Sequence, residues 1–138
     1  MAKRAFRLEN RSGYATDDLY RFVLLGLKAT RTPMRGLRVV FVASPIRSRG
    51  CATVAGRRMV IAIASPANYS LRRLARLIEH EAAHLRGIEH GQMDRKMLYS
   101  LGPVPEWAKG MRIRYRGKAP PQLAFLRNGR GGETRRSP

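Results

Sequence analysis

Residues 70–90 read SLRRLARLIEHEAAHLRGIEH, and this stretch carries the strongest helical pattern of the chain. At about 100° per residue of an α-helix, its apolar side chains form one stripe: Leu71, Leu74, Ala75, Ile78, Ala82 and Leu85. Ser70 is a good N-cap, and Gly87 suits the left-handed position that follows the last helical turn. We therefore predict a helix over 71–86 that packs on the core along one side.

All three histidines of the chain lie in this stretch, in the pattern HExxHxxGxxH. His80 and His84 are four residues apart on the side opposite the apolar stripe, so both rings can bind one metal ion. Glu81 can reach a water at that ion without being a ligand. A turn at Gly87 would bring His90 round as a third ligand. Three protein ligands with an open fourth position are typical of a catalytic Zn²⁺ site rather than a structural one.

Other residues could share in this chemistry. Glu89 or Asp94 could replace His90 as the third ligand if the turn closes differently. Three side chains could stabilise an oxyanion, or could equally be ordinary surface or packing residues: Arg73, Tyr99 and Tyr115. Trp107 is expected to pack rather than to stack on a nucleic-acid base.

The rest of the chain predicts an α+β fold. Helical and β-branched patterns place a helix at 17–29 with Thr16 as its N-cap, strands at 37–44, 51–54 and 58–64, short helical segments at 93–101 and 105–109, and an edge strand at 111–115. We expect a small, mostly antiparallel sheet packed on the N-terminal helix and the central metal-binding helix. The domain is expected to span 14–116, between a basic N-terminal arm at 1–13 and a basic, flexible tail at 117–138.

Composition limits the class of protein. The chain has 138 residues, of which 43% are apolar, and this is enough for one core and excludes wholesale disorder. It has no apolar run near the roughly 20 residues that a membrane span needs. No apolar signal region follows the basic N-terminus, and Cys51, read as buried in a strand, is the only cysteine, so we expect a cytoplasmic protein. Lys and Arg number 28 against 9 Asp and Glu, and the net charge of +19 favours DNA or RNA as a partner.

The histidine motif resembles the long zinc-binding motif of the metzincin clan of metallopeptidases, and HExxH is the general zincin signature. The order of helix, strands and motif helix over 14–90 also looks like the small SprT-like proteases, which act on DNA-bound proteins. The resemblance implies that His80, His84 and His90 bind Zn²⁺ and that Glu81 is the catalytic base. Metzincins also carry a methionine turn beneath the metal, for which three residues are candidates: Met93, Met97 and Met111.

A second family is also similar. YbeY-type endoribonucleases are small, basic and zinc-binding, with His-x3-His-x5-His spacing and a Leu-x-Gly-x-Asp-His ending. Residues 84–90, HLRGIEH, are close to that ending, with Glu89 in place of aspartate. That family normally has glycine after its first histidine, where this chain has Glu81. A glutamate at this position is what water-activating hydrolysis of a peptide needs.

The sequence thus favours a compact zinc metallopeptidase of minimal zincin type. Its substrate would be a polypeptide, and its basic surface would direct it to nucleic acid or to acidic substrates. Two alternatives stay open: a YbeY-like zinc endoribonuclease, and a non-catalytic nucleic-acid-binding domain stabilised by zinc. The oligomeric state is left open.

Overall fold

A computed structural model describes residues 4–45, 47–53, 56–66, 69–117 and 125–127. Within these ranges the strands are β1 (Arg7–Arg11), β2 (Arg38–Ser44), β3 (Arg49–Thr53), β4 (Arg58–Ala64), β5 (Arg112–Arg114) and β6 (Phe125–Arg127). The α-helices are α1 (Thr16–Ala29), α2 (Leu71–Leu85) and α3 (Arg95–Leu98), and single 3₁₀ turns lie at His90–Gln92 and Glu106–Ala108. The α+β class is therefore confirmed.

Strands β1 to β4 form one mixed sheet in the order β1-β2-β4-β3. β1 pairs with β2 and β2 with β4 in parallel, and β3 pairs with β4 antiparallel. The expectation of a mostly antiparallel sheet is therefore wrong. Helix α1 crosses over between β1 and β2, and such a crossover joins parallel strands. The strands predicted at 51–54 and 58–64 pair antiparallel as β3 and β4, and β4 lies between β3 and β2.

The segment 1–13, expected to be a basic arm, contributes β1 to this sheet. This strand was not predicted, because its side chains are polar and basic. Such side chains are tolerated here because β1 is an edge strand with its outward positions in solvent. Arg7 of β1 pairs in register with Arg38 of β2. Residues 7–11 are therefore part of the sheet.

One face of the sheet builds the core with the two long helices. Side chains of alternating positions on β2 and β4 are almost fully buried there: Val39, Phe41, Met59, Ile61 and Ile63. They share one cluster with Leu19 and Phe22 of α1 and with Leu74 and Ile78 of α2. The apolar residues that alternate along β2 and β4 thus pack against the apolar stripe of α2 in one core.

The helix ends agree only in part with those predicted from the sequence. Ser70 caps α2 as predicted, since its hydroxyl accepts from the Arg73 N–H at 3.4 Å. Gly87 has φ +87°, the left-handed conformation predicted for it. Thr16 was predicted as the N-cap of α1, but the cap is Ala15, and the Thr16 hydroxyl accepts a hydrogen bond from the Asn10 side chain at 2.9 Å instead.

The C-terminal part adds a small ribbon. β5, predicted as an edge strand, pairs antiparallel with β6, which lies inside the expected tail. Leu126 of β6 is 1% exposed and belongs to the core cluster. The rest of that expected tail, from 118 to 124 and from 128 onward, lies outside the described residues. Among the described residues, no helix is both long enough and apolar enough to cross a bilayer.

Cys51 is exposed, which corrects the expectation that it is buried. It lies on the edge strand β3 opposite Val60, so its side chain faces away from the helices, whereas Ala52 faces them. Trp107 packs as expected, with its ring 5.0 Å from that of Phe22. Its indole N–H also donates to Glu79 at 2.9 Å.

Candidate metal centre

Three histidine side chains converge at one point of the surface. α2 presents His80 and His84 on its polar side, and the turn at Gly87 returns the chain so that His90 begins the following 3₁₀ turn. The Nε2 atom of His90 lies 3.2 Å from Nε2 of His80 and 3.0 Å from Nε2 of His84. The structure therefore brings together all three residues predicted as metal ligands.

Backbone carbonyls fix the orientation of two of these rings. Nδ1 of His80 lies 3.1 Å from the carbonyl oxygen of Met97, and Nδ1 of His84 lies 2.9 Å from that of Ile88. Because a carbonyl oxygen can only accept, each Nδ1 must carry the proton and donate it. Both Nε2 atoms are left with a free lone pair pointing at the common centre, as metal-binding histidines require.

The spacing of the three nitrogens fits a metal ion. A tetrahedral ion with bonds of about 2.0–2.1 Å to imidazole places its ligand nitrogens about 3.3 Å apart. The ligand atoms of His80, His84 and His90 all lie within 4.8 Å of one another, and two separations are close to that value. The site can therefore hold a metal ion with little rearrangement.

The two acidic residues considered as alternative ligands have other roles. The Glu89 backbone N–H donates to the Gln92 side chain at 2.8 Å, across the 3₁₀ turn that begins at His90. Asp94 caps α3, where its carboxylate accepts from the Met97 N–H at 2.8 Å. This cap holds Met97, whose carbonyl in turn orients His80. Neither acid belongs to the group of ligand atoms that His80, His84 and His90 form.

Electrostatics favour the neutral imidazole at His80. Partial burial lowers the pKa of His80, and the neighbouring His84 and His90 lower it further, while the hydrogen bond to the Met97 carbonyl works against them. Since only the neutral ring has a lone pair for a metal, the lowered pKa keeps this ligand competent at neutral pH.

Glu81 lies buried beside the histidines. It is 4% exposed, and burial raises the pKa of its carboxyl to about 7. Gly50 of β3 faces it so closely that a Cβ atom at Gly50 would lie 2.8 Å from both Cγ and Oε2 of Glu81. The carboxyl is therefore held between α2 and the edge strand, with a pKa suited to exchanging protons near neutral pH.

A cleft of about 540 Å³ opens at this centre. β3 forms one side through Gly50, Cys51 and Ala52, and α2 with the turn after it forms the other. β3 is an edge strand of the described sheet. No pattern in the sequence marks Gly50 as part of the site, because its role depends on the side chain that the fold places opposite it.

The candidate oxyanion donors are not among the described residues that line this cleft. Arg73 lies over the Tyr69 ring at 5.8 Å, and Arg95 lies over the Tyr99 ring at 5.7 Å. Tyr115 packs against Tyr14, with ring centroids 4.8 Å apart. These contacts agree with the packing and surface roles that the sequence left open for them.

Comparison of the chain with protein-family models, curated proteins and solved structures finds no match. The geometry of the histidine centre and of Glu81 therefore carries the functional argument.

Proposed function

We propose that this protein is a zinc-dependent metallopeptidase. The observation that carries the proposal is the position of Glu81, a buried carboxyl that lines the same cleft as three converging histidines. Carbonyls of Met97 and Ile88 orient His80 and His84, so the carboxyl is available as a base. A hydrolase needs such a base, because a water must lose a proton as it attacks.

The three histidines would hold the ion through their Nε2 atoms. Bound Zn²⁺ supplies Lewis acidity, which polarises a carbonyl and makes a water easier to deprotonate. Glu81 accepts the proton of the attacking water and later gives it to the leaving amine. The raised pKa of Glu81 places both transfers within reach of neutral pH.

The shape of the cleft suits an extended polypeptide. β3 borders it and is an edge strand among the described strands, and an extended peptide can add to such an edge by backbone hydrogen bonds. The order of α1, the strands β2 to β4 and the histidine helix α2 along the chain agrees with the order of helix, strands and motif helix on which the resemblance to small zincins rests. Glu81 at the place where YbeY-type enzymes have glycine supports peptide over RNA hydrolysis.

The proposal is tested by hydrolysis of unfolded casein by the zinc-loaded chain. Glu81→Gln keeps the size and polarity of the side chain but removes the base, and we expect a loss of about 10²- to 10⁴-fold in rate. Metal content, measured by mass spectrometry of the purified protein, should stay at one ion per chain. The matched control is Glu106→Gln, an exposed glutamate paired with Lys109, which should keep full activity.

Single-stranded RNA is assayed in parallel, with a chelator in each case. RNA cleavage without casein cleavage would replace the peptidase proposal by the endoribonuclease alternative. Casein cleavage that Glu81→Gln leaves unchanged would remove the general base from the mechanism.

A further inference from the structure

The four-stranded sheet has a second face, which we call the outer face. The core residues of β2 and β4 share one parity of the strand alternation, and both long helices pack against them. The outer face is formed by every second strand residue, beginning with Arg38 on β2 and with Arg58 on β4. Of the strand residues on this face, Val40 and Ala64 are buried and the rest are exposed or half-buried.

Three arginines lie side by side on the outer face. Arg7, Arg38 and Arg58 are register partners on the neighbouring strands β1, β2 and β4, so their side chains leave the sheet in one direction. Neighbouring strands are about 4.8 Å apart, so this arginine row spans about 10 Å. One strand of a duplex carries about three phosphates over that length of helix axis.

The arginine row is not neutralised within the described part of the chain. All three guanidinium side chains belong to exposed residues, and none of them forms an ion pair with a described residue. Glu9 is the single acidic strand residue on this face, and its carboxylate is paired with Arg11. A depression of about 830 Å³ lies along the row, also lined by Arg4.

The rest of the outer face is small and lacks aromatic side chains. Further along the strands it consists of residues such as Val42, Val60 and Ala62, whose short side chains do not rise above the sheet as the arginines do. Base stacking and membrane insertion both need exposed aromatic or large apolar groups. The large apolar residues that the structure exposes in its described part, Tyr99 and Leu101, lie outside the sheet.

We propose that the outer face binds the sugar-phosphate backbone of a nucleic acid through the arginine row. Guanidinium groups bind phosphate by paired hydrogen bonds, and the net charge of +19 attracts a polyanion from a distance. Binding would not select bases, because the face offers contacts to phosphates alone. This inference is independent of the proposed peptidase activity.

The arginine row and the metal cleft share one sheet. Arg58 pairs in register with Thr53 of β3, and three residues of β3 line the cleft: Gly50, Cys51 and Ala52. The cleft lies on the helix-facing side of that sheet, because Gly50 faces Glu81 of α2. A nucleic acid on the outer face would therefore leave the cleft open.

The test is a binding titration of the full-length chain by fluorescence anisotropy. The probes are a labelled duplex and a labelled single strand of about 20 nucleotides, each in two unrelated sequences, over about 50–300 mM salt. Replacing Arg7, Arg38 and Arg58 together by Gln should weaken binding about 10- to 100-fold near 0.1 M salt. The slope of log K against log salt should fall by about 2–3, because three phosphate contacts are lost.

A control variant removes the same charge elsewhere. Lys28, Arg73 and Lys109 are exposed and lie outside the sheet, and their replacement by Gln should change affinity by less than about threefold. Replacing the arginine row by lysine should restore the salt slope, since the charges return. Thermal melting and zinc content report that each variant is folded.

Equal losses from the row and control variants would overturn the proposal, since binding would then follow net charge and not this face. The same holds if polyglutamate or anionic phospholipid vesicles bind as tightly as nucleic acid with the same dependence on the row. A preference of more than tenfold between the two sequences would contradict recognition through phosphates alone.

Discussion

At the scale of single residues, the centre depends on one close contact between strand and helix. Gly50 lies against the Glu81 side chain with no room for a methyl group, whereas the histidines are oriented by carbonyls of Met97 and Ile88. The position of the acid and the position of the metal ligands therefore have separate structural causes. They can be perturbed separately.

The substitution Gly50→Ala should displace the Glu81 carboxyl without disturbing the histidines. The added methyl group would lie 2.8 Å from Glu81 Cγ and must displace the carboxyl, so casein hydrolysis should fall about 10²-fold. Zinc affinity, measured by competition with a chelating dye, should change by less than about threefold because the histidines keep their partners. Gly56→Ala is the control, since its nearest neighbour would be Thr53 at 3.8 Å. Full activity in Gly50→Ala would show that Glu81 has no fixed position to lose.

At the scale of elements, Asp18 joins helix to strand. It lies in the first turn of α1, near the positive end of the helix dipole. In the fold its carboxylate also accepts from the backbone N–H of Arg114 at 2.9 Å and from the Arg114 guanidinium at 2.9 Å. It thereby fastens α1 to β5, a contact across 96 residues of sequence that no local pattern indicates.

The pH dependence of stability follows from this link. Burial by itself would raise the pKa of Asp18, but the hydrogen bonds and charge of Arg114 outweigh burial and lower it. A lowered pKa in the folded state means that the stabilisation is complete above the unfolded value near 4 and is lost as pH falls below it.

Asp18→Asn should therefore cost about 1.5–3 kcal/mol of unfolding free energy at pH 7, measured by urea denaturation. The difference from the unmodified chain should shrink as pH falls below about 4, since both then carry an uncharged group. Asp17→Asn is the matched control in the same helical turn, because its carboxylate is largely exposed and should contribute under about 1 kcal/mol. A difference that stays constant down to pH 2 would assign the effect to packing instead of charge.

At the scale of the whole molecule, the three-histidine site lies at the surface of the fold. His80 and His84 are half-buried and His90 is exposed, while the core closes without them through apolar contacts among α1, α2 and the sheet. The fold should therefore survive the removal of a bound metal ion. A domain that zinc holds together would unfold instead.

Removing the metal distinguishes a fold that is stable without zinc from a domain that zinc holds together. With a chelator, we expect the far-UV circular dichroism to keep its folded form and the melting transition to stay cooperative. The melting temperature should fall by about 10 °C, the effect of losing a ligand present at about 100 times its Kd. Unfolding at room temperature on chelation would favour the non-catalytic, zinc-stabilised alternative.

The sequence by itself determined the parts of this protein that depend on neighbours along the chain. The stripe from Leu71 to Leu85, the cap at Ser70 and the left-handed Gly87 all act within one helix and its turn, so spacing was enough to place His80, His84 and His90 together. The strands at β2, β3 and β4 were predicted for the same reason, since β-branched alternation is local.

Only the tertiary structure decided what depends on partners distant in sequence. The parallel pairing of β1 and β2 needs the crossover through α1, and the exposure of Cys51 follows from the place of β3 at the sheet edge. The contact of Gly50 with Glu81 exists because α2 packs against β3. The row of Arg7, Arg38 and Arg58 exists because the sheet sets these residues side by side. Register and strand order are properties of the assembled sheet, and no single segment of the chain carries them.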